Sequence, residues 1–458
     1  MEQKPDKKGI IGYLPDETPT FGKLIVFALQ QVLVMFPATV TVALLTGFHV
    51  STTIFASGLA TLGFLFITKG KIPLYYGSSF SYIAAIASVT GGVGFGQLAS
   101  DALISQAQFG IICSGFVSIA AGLIVNRFGM DKIEKVLPPT ITGPIAMIIG
   151  LSLATTALTQ AFTDPAIPGL MPNTATIVAL VTLLATILFS IYLRGVMAQL
   201  PILFGILVGY VVSILFGMVD FSRILAGSVI SVPHFTLPKP NAMSVLAIMP
   251  IALATIPESA AHLFQLDIYV NDLAKKKRKG EYKIADKLGL NLIGDGAGDI
   301  ISALFGGPAG TNYGENISTM AITKNFSVKM LGTAAIIAMI ISFFTPLSNL
   351  VNSVPAAVIN GACIFLFGVI AAQGVAIMIN SNVDMFDGRN LAVISVIFII
   401  GLGGHYGYEG GMIPFFGAKL PAIAASAVAG ILLNLLLSIG ADKNKAAHAD
   451  DGFVQERM

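Results

Sequence analysis

Beyond Phe21 the chain is a train of apolar stretches separated by short polar joints. A bilayer crossing takes about 20 mostly apolar residues. Fourteen stretches approach that length: 21–47, 51–68, 72–93, 104–126, 137–161, 173–194, 197–219, 243–266, 288–305, 308–324, 329–348, 355–378, 390–406 and 421–440. Each predicts a transmembrane segment, so the expected fold class is an all-α polytopic membrane protein. The third and tenth stretches break the pattern. "GPAGTNYGENISTMAITK" (Gly307–Lys324) and "IPLYYGS" (Ile72–Ser78) set Gly, Pro and polar residues where helix is expected. Non-helical backbone at membrane depth survives only where protein or a water-filled cavity satisfies it. Each segment therefore predicts an extended piece leading into a short helix, beginning near Phe80 in one case and Glu315 in the other. Two such pieces of opposite orientation can pair as an antiparallel bridge. Their helices would then face each other with free N–H groups and positive dipole ends.

The opposite orientation follows from an internal repeat. "YGSSFSYIA" (Tyr76–Ala84) lies over "YGENISTMA" (Tyr313–Ala321) with Tyr, Gly, Ser and Ala coincident, and Pro73 and Pro308 precede the two motifs. A second pair follows in the same order: "PPTITGPIAMIIG" with Gly143 and Gly150, and "PAAVINGACIFLFG" with Gly361 and Gly368. In each pair the partners stand seven spans apart, and an odd number inverts orientation. The plan is a repeat of seven plus seven spans, with short extended strands interrupting spans three and ten. Inverted repeats with interrupted helices recur in secondary transporters, with the binding site near the midplane.

Composition agrees. Hydrophobic residues are 55% of 458, charged residues 11%, and the mean hydropathy is +0.83, against about 25% charged residues in soluble domains. The polar start "MEQKPDKKGIIGYLPDETPT" predicts no secretory signal peptide. Cys113 and Cys363 lie in apolar runs and read as small buried hydrophobes. The net charge of +2 matters less than its placement. With fourteen spans, all but Arg223, Lys239 and Lys419 of the 26 Lys and Arg fall on the side of the termini. The positive-inside rule puts both termini in the cytoplasm. "KKKRK" (Lys275–Lys279) reads as a topology anchor and not as a nucleic-acid patch.

Carboxylates inside spans are costly and point to function. "IPESAAHLFQLD" carries Glu258 and His262 four residues apart, on one helical face. Glu315 opens the half-helix of span ten. Asp295 and Asp299 of "GDGAGD" are also four apart, and pairing that holds helices in register is an equal reading for them. Carboxylates accept hydrogen bonds and helix N–H groups donate them. Their complement is a planar ligand with alternating N–H and C=O groups, such as uracil or xanthine, which Phe80 could cover. A carboxylate at membrane depth can be neutralised by a proton, and His262 could relay it. His49, His234, His262, His405 and His448 are scattered, so no metal site is expected. No phosphate-binding loop or Gly-x-Ser-x-Gly elbow in a plausible context suggests an ATP-driven pump or an enzyme, and no cofactor is expected.

These residues carry a family resemblance. "ENISTMAITK" resembles the nucleobase–ascorbate transporter signature Gln/Glu-Asn-x-Gly-x-x-x-x-Thr-Arg/Lys at Glu315, Asn316, Thr323 and Lys324, with Ser318 in place of its glycine. "GKIPLYYGSSFSYI" (Gly70–Ile83) looks like the family's third-span segment. "ESAAHL" and Glu315 resemble the bacterial uracil-type members; purine-type members place an acidic residue at His262 and xanthine-type members Gln at Glu315. "LQQVLVMFPATV" resembles the first-span pattern, with Gln31 for a usual His and Pro37 for a usual Gly. The resemblance implies a uracil–proton symporter with substrate held by the Glu258 and Glu315 side chains and the N–H groups of Phe80 and Gly314. Proton coupling would involve Glu258, His262 and Glu315, with Ser79, Tyr313, Asn316, Asp295 and Gln31 as supporting residues. It implies a cytoplasmic segment 1–20, a core domain of 21–136 and 243–328 with span eleven at 329–348, a gate domain of 137–242 and 349–440, and a cytoplasmic tail 441–458. It also implies a homodimer through the gate in the lipid bilayer. A purine permease and an anion transporter of the same plan are the rival readings. The tail is expected to be disordered from its polar composition.

Overall fold

Wherever lipid surrounds a chain, its backbone groups must bond within the protein, and a helix does this inside one segment. The computed structural model describes residues 12–92, 96–129, 138–224, 227–415 and 418–455. Its elements are α1 (Phe21–Thr46), α2 (Val50–Ile67), β1 (Tyr76–Ser78), α3 (Ile83–Thr90), α4 (Asp101–Phe128), α5 (Pro139–Ser152), α6 (Ala154–Ala161), α7 (Thr174–Tyr192), α8 (Pro201–Leu215), α9 (Ala242–Ile248), α10 (Ala252–Lys276), α11 (Leu288–Leu304), β2 (Gly310–Asn312), α12 (Gly314–Thr323), α13 (Val328–Ile341), α14 (Thr345–Asn352), α15 (Ala356–Asn380), α16 (Gly388–Gly407), β3 (Met412–Phe415), β4 (Ala418–Pro421) and α17 (Ala422–Gln455). Among the described residues, eight helical stretches are by themselves long and apolar enough to cross a membrane.

The all-α polytopic class holds, and both interruptions fall where the Gly- and Pro-rich segments predict them. Elsewhere several stretches that read as single spans are broken. Stretch 243–266 is α9 and α10 joined by a 3-10 turn at Met249–Ile251, where Pro250 has no N–H to continue the ladder. Stretch 329–348 is α13 followed by α14, whose first turn holds Pro346. Helix α17 runs to Gln455 through the tail whose polar composition predicts disorder. Residues 1–11 of the expected N-terminal segment lie outside the described residues.

The chain forms two compact units. The first comprises α1–α4, α6–α14 and the first part of α15. Its centre is α2, packed against α13, α11 and α1, with Thr53, Ala56, Ser57, Ala60, Thr61 and Phe64 all buried. Helices α7 and α8 pack closely, with Gly205 and Gly209 set against Thr186 and Thr182, the small-residue contact that lets membrane helices approach. At one end of this unit the segment before α1 ties the turn after α12: Tyr13 N–H donates to Lys324 O and Phe326 N–H to Tyr13 O, each at 2.8 Å. Glu17 accepts from Lys277 and, at 3.0 Å, from Lys279. The second unit comprises α5, the rest of α15, α16, β3, β4 and α17. Within it β3 and β4 pair antiparallel, and His405 Nε2 lies 2.9 Å from Ser152 O.

Candidate functional site

The two extended segments meet. β1 and β2 pair antiparallel, with Tyr76 opposite Asn312, Gly77 opposite Thr311 and Ser78 opposite Gly310. Ser79 N–H to Ala309 O and Tyr313 N–H to Tyr75 O, each 3.0 Å, lengthen the ladder. Three residues per strand make a weak sheet, so neighbours supply what the ladder lacks. From α2, Ser57 and Thr61 donate their hydroxyls to Tyr76 O at 2.8 and 3.0 Å, and Thr61 Oγ1 accepts from Tyr76 N–H at 3.1 Å. From α11, one Asp299 oxygen accepts from both Tyr76 Oη and Gly310 N–H. Rings cross the pair closely: a Cβ on Gly77 would run into the Tyr313 ring, and one on Gly310 into the Tyr76 ring.

Each strand delivers a helix start. After β1, the Ser79 side chain caps a 3-10 turn at Phe80–Tyr82 through Ser81 N–H, and α3 follows. After β2, α12 begins at Gly314 with no side-chain cap, so its first-turn N–H groups keep their donating capacity. Glu315 sits in that first turn. The residue is exposed in the described structure. Glu258, from α10, accepts from Ser81 Oγ at 3.3 Å and lies within electrostatic reach of Glu315. His262, one turn along α10, stands against α12: a Cβ on Gly314 would come within 2.9 Å of its Nε2. Among the described residues its buried Nδ1 has no hydrogen-bond partner. The structure thus gathers Glu258, His262, Gly314, Glu315 and the turn that starts at Phe80. Two acceptor groups and a set of N–H donors share one space, the pattern that complements a planar ligand edge.

The other expected residues form a scaffold. Tyr313 Oη donates to Ser78 O at 3.0 Å and lies 2.9 Å from Thr39 Oγ1 of α1. Asn316 Nδ2 donates to Gln31 Oε1 at 2.7 Å, with Gln31 fully enclosed in α1. Asp295 accepts from Ser259 Oγ, which Asn291 also bonds at 2.7 Å. The two aspartates of α11 therefore hold different partners rather than each other. Ser81, Thr39, Ser57 and Thr61 were not singled out in the sequence. Ser81 lies within the repeated motif itself, a signal that could have found it, whereas a hydroxyl on an apolar helix carries no mark of the strand it serves.

Two of the five histidines scattered along the sequence, His49 and His234, meet in space. His49, Asp101 and His234 present ligand atoms all within 4.8 Å of one another, in the first unit and apart from the residues above.

A polytopic helical fold with two opposed broken spans, their helix starts and two glutamates brought together, defines a membrane transporter. A Permease family model (Xan_ur_permease) matches residues 22–410, and the chain belongs to this family, the nucleobase–ascorbate transporters. The uracil permease of Bacillus caldolyticus is 38% identical over 92% of this chain and 93% of its own length. That of Bacillus subtilis (strain 168) is 36% identical over 92% and 94%, and that of Escherichia coli (strain K12) 33% over 96% and 98%. Among solved structures, a murine Solute Carrier 26 family member A9 anion transporter in the inward-facing state matches with TM-score 0.63 at 14% identity, over 95% of this chain and 69% of that one. The transmembrane domain of the cyanobacterial bicarbonate transporter BicA matches with TM-score 0.54 at 17% identity, over 91% and 98%. At such identities these two speak for the fold alone.

Proposed function

We propose that the protein imports uracil across the cytoplasmic membrane by proton symport, with both termini in the cytoplasm. What supports this reading is Glu315 in the first turn of α12, beside His262 of α10, with Glu258 on the same helix bonded to Ser81 at the other half-helix start. The uracil ring offers N–H donors to the carboxylates and C=O acceptors to the N–H groups of Phe80 and Gly314. Phe80 covers the ring face. The relatives named uracil permeases, matched over nearly their whole length, support the substrate class.

The coupling proton neutralises Glu258 or Glu315, since two carboxylates sharing a site resist ionising together, and His262 relays it. Movement carries the core group of spans one to four and eight to eleven against the gate group of spans five to seven and twelve to fourteen. These groups are units of movement; the two compact units above are units of packing. The gate group joins two protomers.

The test is uptake of labelled uracil by purified protein in liposomes, with and without an inward proton gradient, beside Glu315→Gln. Gradient-driven uptake that uracil blocks, xanthine does not and the variant lacks is the expected result. Saturable xanthine uptake without uracil uptake would overturn the assigned substrate.

A further inference from the structure

We propose that His49, Asp101 and His234 form a binding site for a divalent transition metal of the Zn2+ class, which staples the loop before α9 to the N-terminal ends of α2 and α4. The three residues come from three elements: His49 is the residue before α2, Asp101 opens α4, and His234 lies in the extended segment between α8 and α9. His234 Nε2 is 3.0 Å from Asp101 Oδ2, and His49 Nε2 is 4.0 Å from Asp101 Oδ1. The two imidazoles lie with ring centroids 4.4 Å apart. Both rings turn the same nitrogen towards opposite oxygens of one carboxylate.

A plain latch needs one histidine on this aspartate. The second ring gains little by crowding the first, because two imidazolium ions at that spacing repel. A metal removes the conflict. It binds both imidazoles in their neutral form and takes the carboxylate as its anionic ligand. Two nitrogens and one oxygen suit Zn2+ and its neighbours, whereas Mg2+ and Ca2+ prefer oxygen alone. Tetrahedral zinc places its ligands about 3.3 Å apart, given bonds of about 2.0–2.1 Å. The present spacing reaches that by small rotations of side chains exposed at 22%, 60% and 51% for His49, Asp101 and His234. The same exposure leaves room for water in the fourth position.

The backbone around the cluster is already set. Thr52 Oγ1 donates to His234 O at 2.8 Å, and Thr53 N–H to His49 O at 2.9 Å. The ring of Phe235 packs edge-on to Phe55 at 5.1 Å. Gln108 exchanges two bonds with Thr236, at 2.8 Å to its carbonyl and 2.9 Å from its hydroxyl. Only side-chain torsions remain to be ordered by the metal, which keeps the cost of binding low.

The test uses the full chain, purified in detergent without a histidine tag. Calorimetric titration with ZnCl2 should show one saturable site per chain, and His49→Ala and His234→Ala should each weaken it at least tenfold. Co2+ bound to the unaltered protein should give the intense visible bands of a four-coordinate site with nitrogen and oxygen ligands. That second reading does not depend on how the variants fold. No saturable Zn2+ binding, an affinity unchanged in both variants, or the faint spectrum of hydrated Co2+ would each overturn the assignment.

Discussion

Tyr76 Oη donates a 2.5 Å hydrogen bond to Asp299 Oδ1, and the same oxygen accepts the Gly310 N–H at 2.8 Å. A single carboxylate from α11 thus clamps one strand by its side chain and the other by its backbone. Both donors are buried with no solvent to replace the lost partner. Asp299→Ala should therefore destabilise the protein by on the order of 3 kcal/mol, as buried donors left unmatched cost about 1–3 kcal/mol each. Tyr76→Phe removes one bond and should cost about 1 kcal/mol. Denaturation of the detergent-solubilised variants would check this; equal stability in all three proteins would show that the clamp is dispensable.

Glu258 and Glu315, the carboxylates proposed to hold uracil, have different surroundings. Glu315→Gln and Glu258→Gln should each lower uracil uptake at least tenfold, because a charge-assisted hydrogen bond contributes about 1.5–3 kcal/mol. Ser81→Ala, which removes a single 3.3 Å bond to Glu258, should change uptake only a few-fold. Initial rates in liposomes measure all three, and a serine variant as impaired as the glutamate variants would reassign Ser81 to direct substrate contact.

The strand pair depends on the absence of one side chain. In Gly77→Ala the new Cβ would collide with the Tyr313 ring, which is buried and tied to Ser78 and Thr39. Overpacking of this kind costs about 1–3 kcal/mol. Reduced folded yield and weakened uracil binding are expected, with partial recovery in Gly77→Ala combined with Tyr313→Leu. A single variant with unaltered yield and binding would mean that the ring moves freely.

Acid should loosen the tie between the segment before α1 and the end of α10. Burial alone would raise the proton affinity of Glu17, but hydrogen bonds from Lys277, the Leu14 N–H and Lys279 hold its carboxyl down at about 2, against an ordinary value of 4.5. A lowered value means stability that is complete above pH 4.5 and is lost as the pH falls towards 2. Glu17→Gln should melt below the unaltered protein at pH 7, by on the order of 1 kcal/mol for a partly exposed ion pair, and the gap should narrow between pH 4.5 and 2. A gap that stays constant over that window would assign the effect to packing.

The interruptions of two spans were legible because Gly, Pro and Asn conflict with a continuous helix, and the match of Tyr76–Ala84 to Tyr313–Ala321 exposed their kinship. Glu258, His262 and Glu315 stood out because charge is costly in an apolar run. The hydroxyls that serve the strand pair did not, since Ser and Thr bond their own helix as readily as a neighbour. Thr61 does both, donating to Ser57 O at 2.8 Å and to Tyr76 O at 3.0 Å.

By itself, then, the sequence determined the apolar spans, the two breaks and the chemistry gathered at them, because periodic hydrophobicity and the conformational limits of Gly and Pro act locally. Only the tertiary structure decided which groups meet: Asp299 with both strands, Gln31 with Asn316, and His49 with His234 from 185 positions away along the chain. Such contacts follow from how helices pack, and packing is settled by the sum of many small complementary surfaces that no short stretch of chain contains.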